Sequence, residues 1–407
     1  MPQGGPVHRG TFVGPIVVTA ADDGSASEKS MLVAIPKETA VCECRVALVP
    51  DLVPKLVKAG SEVVVESNAG AAAGFLDSDY QSKGARIATE VVSPADIVLK
   101  VQPPTPDEIA RLKTGATLIG LLQPYSNGAT FQALAKRGVT AFAMELMPRI
   151  SRAQSMDALS AMSTVSGYKA VLLAASRLPK FFPLLMTTAG TVTPARVFII
   201  GAGVTGLQAI GTAHRLGAVV EAYDTRPAVK EQVESLGAKF AELALQATDA
   251  EDKYGYAKAQ SEEFYTRQQQ LMAKCVASAD VVITTALVPG KRAPLLISEE
   301  MVQAMLPGSV LVDLAAEQGG NCALTEPGRE VVKHGVVIMG PVNLPSTVPF
   351  HASQMYARTV VNFLLHLVRD GSIRFDLNDE VTRGPMVTHE GQIIHDAVKA
   401  TLTAPPA

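Results

Sequence analysis

The stretch from Arg196 to Pro227, RVFIIGAGVTGLQAIGTAHRLGAVVEAYDTRP, constrains the fold more than any other stretch of the chain. It reads as strand, glycine turn, helix, strand. Val197 to Ile200 is a short branched apolar run that suits a buried parallel strand. Gly201, Gly203 and Gly206 follow as G-x-G-x-x-G, with Ala202 and Val204 inside the turn. In such a turn the first glycine reverses the chain, the second admits a pyrophosphate, and the third packs helix on strand. A helix from about Val204 to Leu216 then offers its N-terminal amides to the phosphates. Val219 to Tyr223 is the next strand, and Asp224 closes it 18 residues past Gly206. A dinucleotide fold places there the acid that holds the adenosine ribose hydroxyls. The glycine turn alone could serve only packing. The strand before it, the helix after it and the timed acid make it a dinucleotide site. Asp224 repels a 2′-phosphate and favours NAD over NADP. Beyond Thr225, Arg226 is close enough to accept that phosphate, but the acid sits at the strand end itself.

At 407 residues the chain has room for two domains. A net charge of −3 gives no basic surface for nucleic acid or an anionic membrane. Cys42, Cys44, Cys275 and Cys322 are too few for a disulfide framework, and C-x-C without nearby histidines does not read as a metal site. We expect free thiols and no metal. No stretch approaches the roughly 18 consecutive apolar residues of a membrane span.

Residues 1–30 are rich in Gly, Ser, Thr and Asp and read as a disordered leader, with Met31 a natural start of the folded region. Strands are expected at Leu32 to Pro36, Glu62 to Val65, Asp96 to Val101, Thr117 to Leu122 and Thr140 to Leu146, with a helix at Leu52 to Ala59 and another around Phe131 to Lys136. Strands alternating with helices mean an α/β chain with a parallel sheet. Met156 to Leu178 reads as a long helix leading to the second unit, whose strands continue at Asp280 to Ala286, Ser309 to Leu314 and Val336 to Met339. The fold expected is α/β: two Rossmann-like parallel-sheet domains joined by a long helix, with the C-terminal segment returning to the first. The division is residues 31–160 with 350–407, and residues 161–349 for the dinucleotide domain. Glu242 to Gln270 is a long polar connection, with Tyr254, Gly255 and Tyr256 at its middle, and reads as a lid. Phe350 to Leu367 suits a one-sided helix. The tail from Ile373 to Ile394 reads as a hairpin split at Arg383-Gly384-Pro385.

Four segments together carry a family likeness: VAIPKE with RVALVP; MELMPRISRAQSMDALS; GAGVTGLQAI with DTRPAVKEQVESLGAKF; and GYAKAQSEEF with VVITTALVPGK and VLVDLAAEQGGN. From Met31 to about His395 the chain resembles the NAD(H)-binding subunit of the proton-translocating nicotinamide nucleotide transhydrogenases. The resemblance implies a homodimer on the cytoplasmic face of a membrane complex. NAD(H) is held on this chain and NADP(H) on a partner domain, and hydride passes between them with proton translocation through a membrane-spanning subunit. It also implies that Arg149, Asp157 and Ser160 orient the nicotinamide end, that Gln154 reaches the partner nucleotide, and that Tyr256 belongs to the mobile loop. Thr285, Ala286, Leu287 and Pro289, after the strand VVITT, are expected beside the nicotinamide.

Hydride transfer between nicotinamides requires no general acid or base, so positioning residues suffice. From the residues alone, Arg149 to Ser160 also suits a solvated loop ahead of a helix, with Asp157 favoured by the dipole. Glu317 is either a retained functional acid or a solvated one. The alternative is an NAD-dependent alanine dehydrogenase. Lys100 matches that family's lysine and Arg45 its substrate-carboxylate arginine, but Gln123 stands where its histidine is needed and cannot shuttle protons. A silent NAD-sensing module is the third reading.

Overall fold

Short runs of Val, Ile, Leu and Ala, each flanked by helix, fold into two sheets. The computed structural model describes residues 30–242, 261–288, 290–369 and 371–403. The leader over residues 1–29, the lid residues Tyr254, Gly255 and Tyr256, and Pro289 lie outside the described residues.

The first sheet has eight strands, ordered Gln392–Ile393, Met386–His389, Thr140–Ala143, Thr117–Gly120, Ile97–Leu99, Met31–Ile35, Ser61–Glu66, Arg86–Ala88. The six from residues 31–143 run parallel. Met386–His389 returns from the C-terminal segment and adds antiparallel to Thr140–Ala143, with a bulge between Met386 and Thr388. The second sheet has seven strands, ordered Lys239–Phe240, Val219–Tyr223, Arg196–Ile200, Val281–Thr284, Val310–Asp313, Val336–Met339, Glu330–Lys333. Only its last strand is antiparallel. The order reverses beside Arg196–Ile200, the switch point where an open α/β sheet binds its ligand beyond the strand ends.

One helix serves both halves. Ala158–Arg177 starts at Asp157, whose carboxylate accepts from the Ser160 N–H. Its early apolar residues, Ala158, Met162 and Val165, lie in the core of the first sheet. Its later ones, Ala170, Val171 and Ala174, lie in the core of the second. By length and composition this helix could cross a membrane, against the expectation from the sequence. Its apolar face is instead divided between two protein cores. At Gly167 it meets the nucleotide helix Val204–Arg215 backbone to backbone: a Cβ on Gly167 would lie 2.2 Å from the Thr205 carbonyl oxygen. A second long helix, Pro349–Leu367, buries Tyr356, Val360, Phe363 and Leu364 against the first sheet. Its Phe363 ring meets Phe142 edge-on at 5.1 Å.

Three expectations are corrected. The polar connection does not run to Gln270, because Glu262–Ala277 is a helix, capped by the Ser261 hydroxyl and burying Phe264, Gln268 and Met272. Arg383-Gly384-Pro385 is no hairpin turn. It follows the short helix Glu380–Arg383, which Asp379 caps, and the hairpin turns at Glu390-Gly391, both at positive φ. The strand from Thr140 ends at Ala143 and gives way to the tight turn Met144–Leu146.

Gly167→Val is expected to force the two helices apart. Overpacking of this kind costs about 1–3 kcal/mol, read as a lower unfolding midpoint, and NADH binding should weaken because the nucleotide helix shifts. An unchanged midpoint and affinity would show that the close contact is dispensable.

Candidate functional site

The glycine turn leaves strand Arg196–Ile200 at Gly201, which sits at φ 98°. Gly206 has no room for a side chain, since its Cβ would fall 1.8 Å from the Gly201 carbonyl oxygen. The helix begins at Gly203 with no side chain capping it. The N–H groups of its first turn therefore lack partners within the helix. A Cβ on Gly203 would meet nothing nearer than Arg226 Nη2, at 4.0 Å. An uncapped helix start with that much room fits a dinucleotide pyrophosphate. Ala202 is buried beneath the turn and Val204 is 44% exposed at its rim.

Asp224 is engaged differently from the expectation. Its Oδ2 accepts from the Ala202 N–H at 2.7 Å and from Arg226 Nη2 at 2.9 Å. Its Oδ1 accepts from the Arg226 N–H at 2.9 Å and Nε at 2.8 Å. A carboxylate has about four acceptor sites, so this arrangement leaves none for ribose hydroxyls. Asp224 here ties the glycine turn to the strand end, and ribose binding at it requires Arg226 to swing away. The same pairing neutralises the cation that a 2′-phosphate would need. Thr225, half-buried, lies between the two.

The loop after strand Val281–Thr284 completes this side. The Thr285 hydroxyl donates to the carbonyls of Ile200 and Gly201. Both backbone groups of Ala286 pair with the side-chain amide of Asn321. Leu287 is exposed. Asn321 is placed by Asp313, a fully buried carboxylate that accepts from Thr284, Ala315, Asn321, Cys322 and Thr325. Asp313 and Asn321 were missed. A lone acid ending the apolar run VLVD was the available signal. Glu317, four residues on, is exposed and accepts from the Asn343 N–H.

The segment from Arg149 to Ser160 lies at the N-terminal end of the connecting helix. Gln154 is exposed on the six-residue 3-10 helix Ser151–Met156. Ser160 donates its hydroxyl to Asp157 at 2.5 Å. Gln154, Asp157 and Ser160 line one open groove of about 410 Å³, whose far wall carries Arg358 and Asn362 of helix Pro349–Leu367. Arg149 is exposed and outside that lining. The groove and the glycine turn are joined by the connecting helix. Ser160 is seven residues before Gly167, about 10 Å along the axis. Arg358 and Asn362 were also missed, because helical periodicity marks a buried face and says nothing of what the other face borders.

The cations invoked for the alternative chemistry are engaged elsewhere. Arg45 is 3% exposed, and its Nε and Nη2 bind the two oxygens of Glu43 at 2.8 and 2.6 Å. Its Nη2 also donates to Asn343 across the domain boundary at 2.9 Å. Burial alone would raise the Glu43 carboxyl, but the Arg45 guanidinium pulls it down to about 2. Lys100 is 2% exposed and pairs with Glu108 at 2.8 Å and Glu38 at 3.3 Å. Burial pulls the lysine down, and these two carboxylates reverse that and hold it above its ordinary value. Lys100 is thus a buried structural charge, not a substrate ligand. Gln123 is exposed at φ 54°, and its N–H and that of Leu122 donate to Glu145. Burial pushes the Glu145 carboxyl up to about 7 against those bonds.

Family profiles for the alanine dehydrogenase/PNT N-terminal and C-terminal domains match residues 34–166 and 170–396. Over 379 residues the chain is 51% identical to an NAD(P) transhydrogenase subunit alpha of Rhodospirillum rubrum, spanning 90% of this chain and 99% of that protein. A crystal structure of transhydrogenase from Sinorhizobium meliloti superposes with a TM-score of 0.80 at 43% identity, over 90% of this chain and 99% of that one. Alanine dehydrogenase of Bacillus subtilis is 32% identical over 384 residues, 91% of this chain and 95% of that protein.

Two outcomes follow from the charges. NADH should bind more tightly than NADPH in fluorescence titrations, and Asp224→Ala should narrow the gap by releasing Arg226 toward the 2′-phosphate. Tighter NADPH binding by the unaltered chain would contradict this. Lys100→Ala should destabilise the chain by about 3–5 kcal/mol, the cost of leaving buried partners uncompensated. A stable Lys100→Ala chain, by chemical denaturation, would show that Glu38 and Glu108 take up protons instead.

Proposed function

The chain belongs to the alanine dehydrogenase/PNT family, and we propose that it is the NAD(H)-binding component of a proton-translocating NAD(P) transhydrogenase. The observation that carries this reading is the groove at the start of the connecting helix. Among the described residues, its lining offers an amide, an anion, hydroxyls and a guanidinium but no histidine, cysteine or lysine. That is a set for positioning, not for proton transfer. Similarity to transhydrogenase alpha subunits over most of the chain supports it.

In this reading the uncapped turn Gly201 to Gly206 holds the pyrophosphate, and Thr285, Ala286, Leu287 and Pro289 border the nicotinamide. When bound, the dinucleotide supplies the hydride, and NADP⁺ on a partner domain accepts it, giving NAD⁺ and NADPH. Arg149, Asp157 and Ser160 orient the nicotinamide end. Gln154, exposed beyond them, spans toward the second nucleotide. Tyr256 belongs to a loop that closes over the site. The reading includes a homodimer, a membrane-spanning subunit that couples transfer to proton passage, and a place on the cytoplasmic face. It divides the chain into residues 31–160 with 350–407 and residues 161–349. The pairing of Met386–His389 with Thr140–Ala143 supports that division.

No observation favours alanine oxidation. Arg45 and Lys100 already bind carboxylates of the protein.

The isolated chain is expected to bind NADH yet reduce no NADP⁺, and to show no L-alanine-dependent NAD reduction. Adding an NADP(H)-binding transhydrogenase domain should produce transfer without a membrane. Gln154→Asn should slow that transfer on the order of a hundredfold while NADH affinity holds. Weaker NADH binding with an unchanged rate would make Gln154 an ordinary pocket residue. A steady alanine-dependent rate would refute the whole reading.

A further inference from the structure

The helix that carries Gln154 is unusual in length and in how it ends. Ser151–Met156 is a 3-10 helix of six residues, beyond the three or four such helices usually reach. The last carbonyls of a helix have no partner inside it. That of Gln154 accepts from the Asp157 N–H at 3.3 Å. That of Ser155 accepts from Nδ2 of Asn362 at 3.0 Å, a bond reaching 207 residues along the chain. Asn362 projects from helix Pro349–Leu367 into the same groove as Gln154.

A second attachment lies upstream. Arg152 pairs with Asp379, and Asp379 also accepts from the Val381 N–H and lies 3.2 Å from His366. Arg152 is 55% exposed, and an ion pair so open to water holds weakly. The bond from Asn362 to backbone is the firmer one, and it acts on the residue next to Gln154.

We propose that Asn362 is a positioning residue for hydride transfer: its amide fixes the Ser155 carbonyl, holds the overlong 3-10 helix in register, and so aims Gln154 at the second nucleotide. This rests on the role proposed above for Gln154. Without the amide, the Ser155 carbonyl turns to water, and the helix relaxes toward a shorter turn. Gln154 then leaves its line of approach while the glycine turn, a full helix segment away, is undisturbed.

The test uses the full chain with an NADP(H)-binding transhydrogenase domain, NADH, and the thionicotinamide analogue of NADP⁺, whose reduction is read by its shifted absorbance. Asn362→Asp keeps the size but replaces the donor with an oxygen that repels the carbonyl. Asn362→Ala removes the group and serves as the second variant should the first fail to fold. Both should lower kcat on the order of tenfold, a small misplacement of a reacting group, with NADH affinity, KM and melting temperature unchanged. The double variant with Gln154→Asn should be no slower than Gln154→Asn alone, since residues acting through one another are not additive. Unaltered transfer in both Asn362 variants, with Gln154→Asn slow, would overturn the positioning role and leave the proposed function standing. Loss of NADH affinity in step with rate would place Asn362 in the NADH pocket and overturn it too. An unaltered rate in Gln154→Asn would remove the role of Gln154, and that of Asn362 with it.

Discussion

The contact between Gly167 and the Thr205 carbonyl is the constraint on which the site depends. It lets the connecting helix lie directly on the first turn of the nucleotide helix. No larger residue allows that approach. Because the connecting helix also buries Met162 and Val165 in the first core and Val171 and Ala174 in the second, it cannot slide relative to either half. The glycine turn and the segment ending at Ser160 are therefore two ends of one rigid piece. A dinucleotide held at one end is presented to the other without a hinge between them.

Charge around this piece is used for structure. Asp313 is saturated by five donors. Asp224 is saturated by the turn and Arg226. Arg45 and Lys100 sit against carboxylates in sites almost closed to water. Buried charges must be paired in this way, and removing one partner is costly. The groove differs: its amide, hydroxyls and guanidinium border open space. A site whose reacting partners exchange a hydride needs such orienting groups and no proton carrier.

The parallel strands were legible because each is a short branched run, and Val219–Tyr223 and Val336–Met339 fall where the pattern put them. The glycine turn was legible because its spacing follows from close packing. Three things were not. Polar helices such as Glu262–Ala277 look like connections when only their buried face, Phe264 and Met272, is apolar. The exposed hairpin of Leu185–Thr187 and Gly190–Val192 has no alternating core face to reveal it. Partners distant in the chain, such as Asn362 with Ser155 or Asn343 with Arg45, leave no local pattern. Lys100 was misread for the same reason, since Glu108 lies on the next helix and Glu38 at the end of another strand. The role of Asp224 was read from position alone, and Arg226, two residues away, changes what its oxygens can do.

The central claim is that hydride moves straight from one nicotinamide to the other across the Gln154 groove. The most direct measurement follows the atom. NADH carrying deuterium at the transferable C4 position is mixed with this chain, the NADP(H)-binding partner domain and NADP⁺ in ordinary water, and the NADPH is analysed by mass spectrometry. The account predicts that the NADPH carries the deuterium and the water none. NADPH formed without deuterium, the label having passed to solvent, would contradict it.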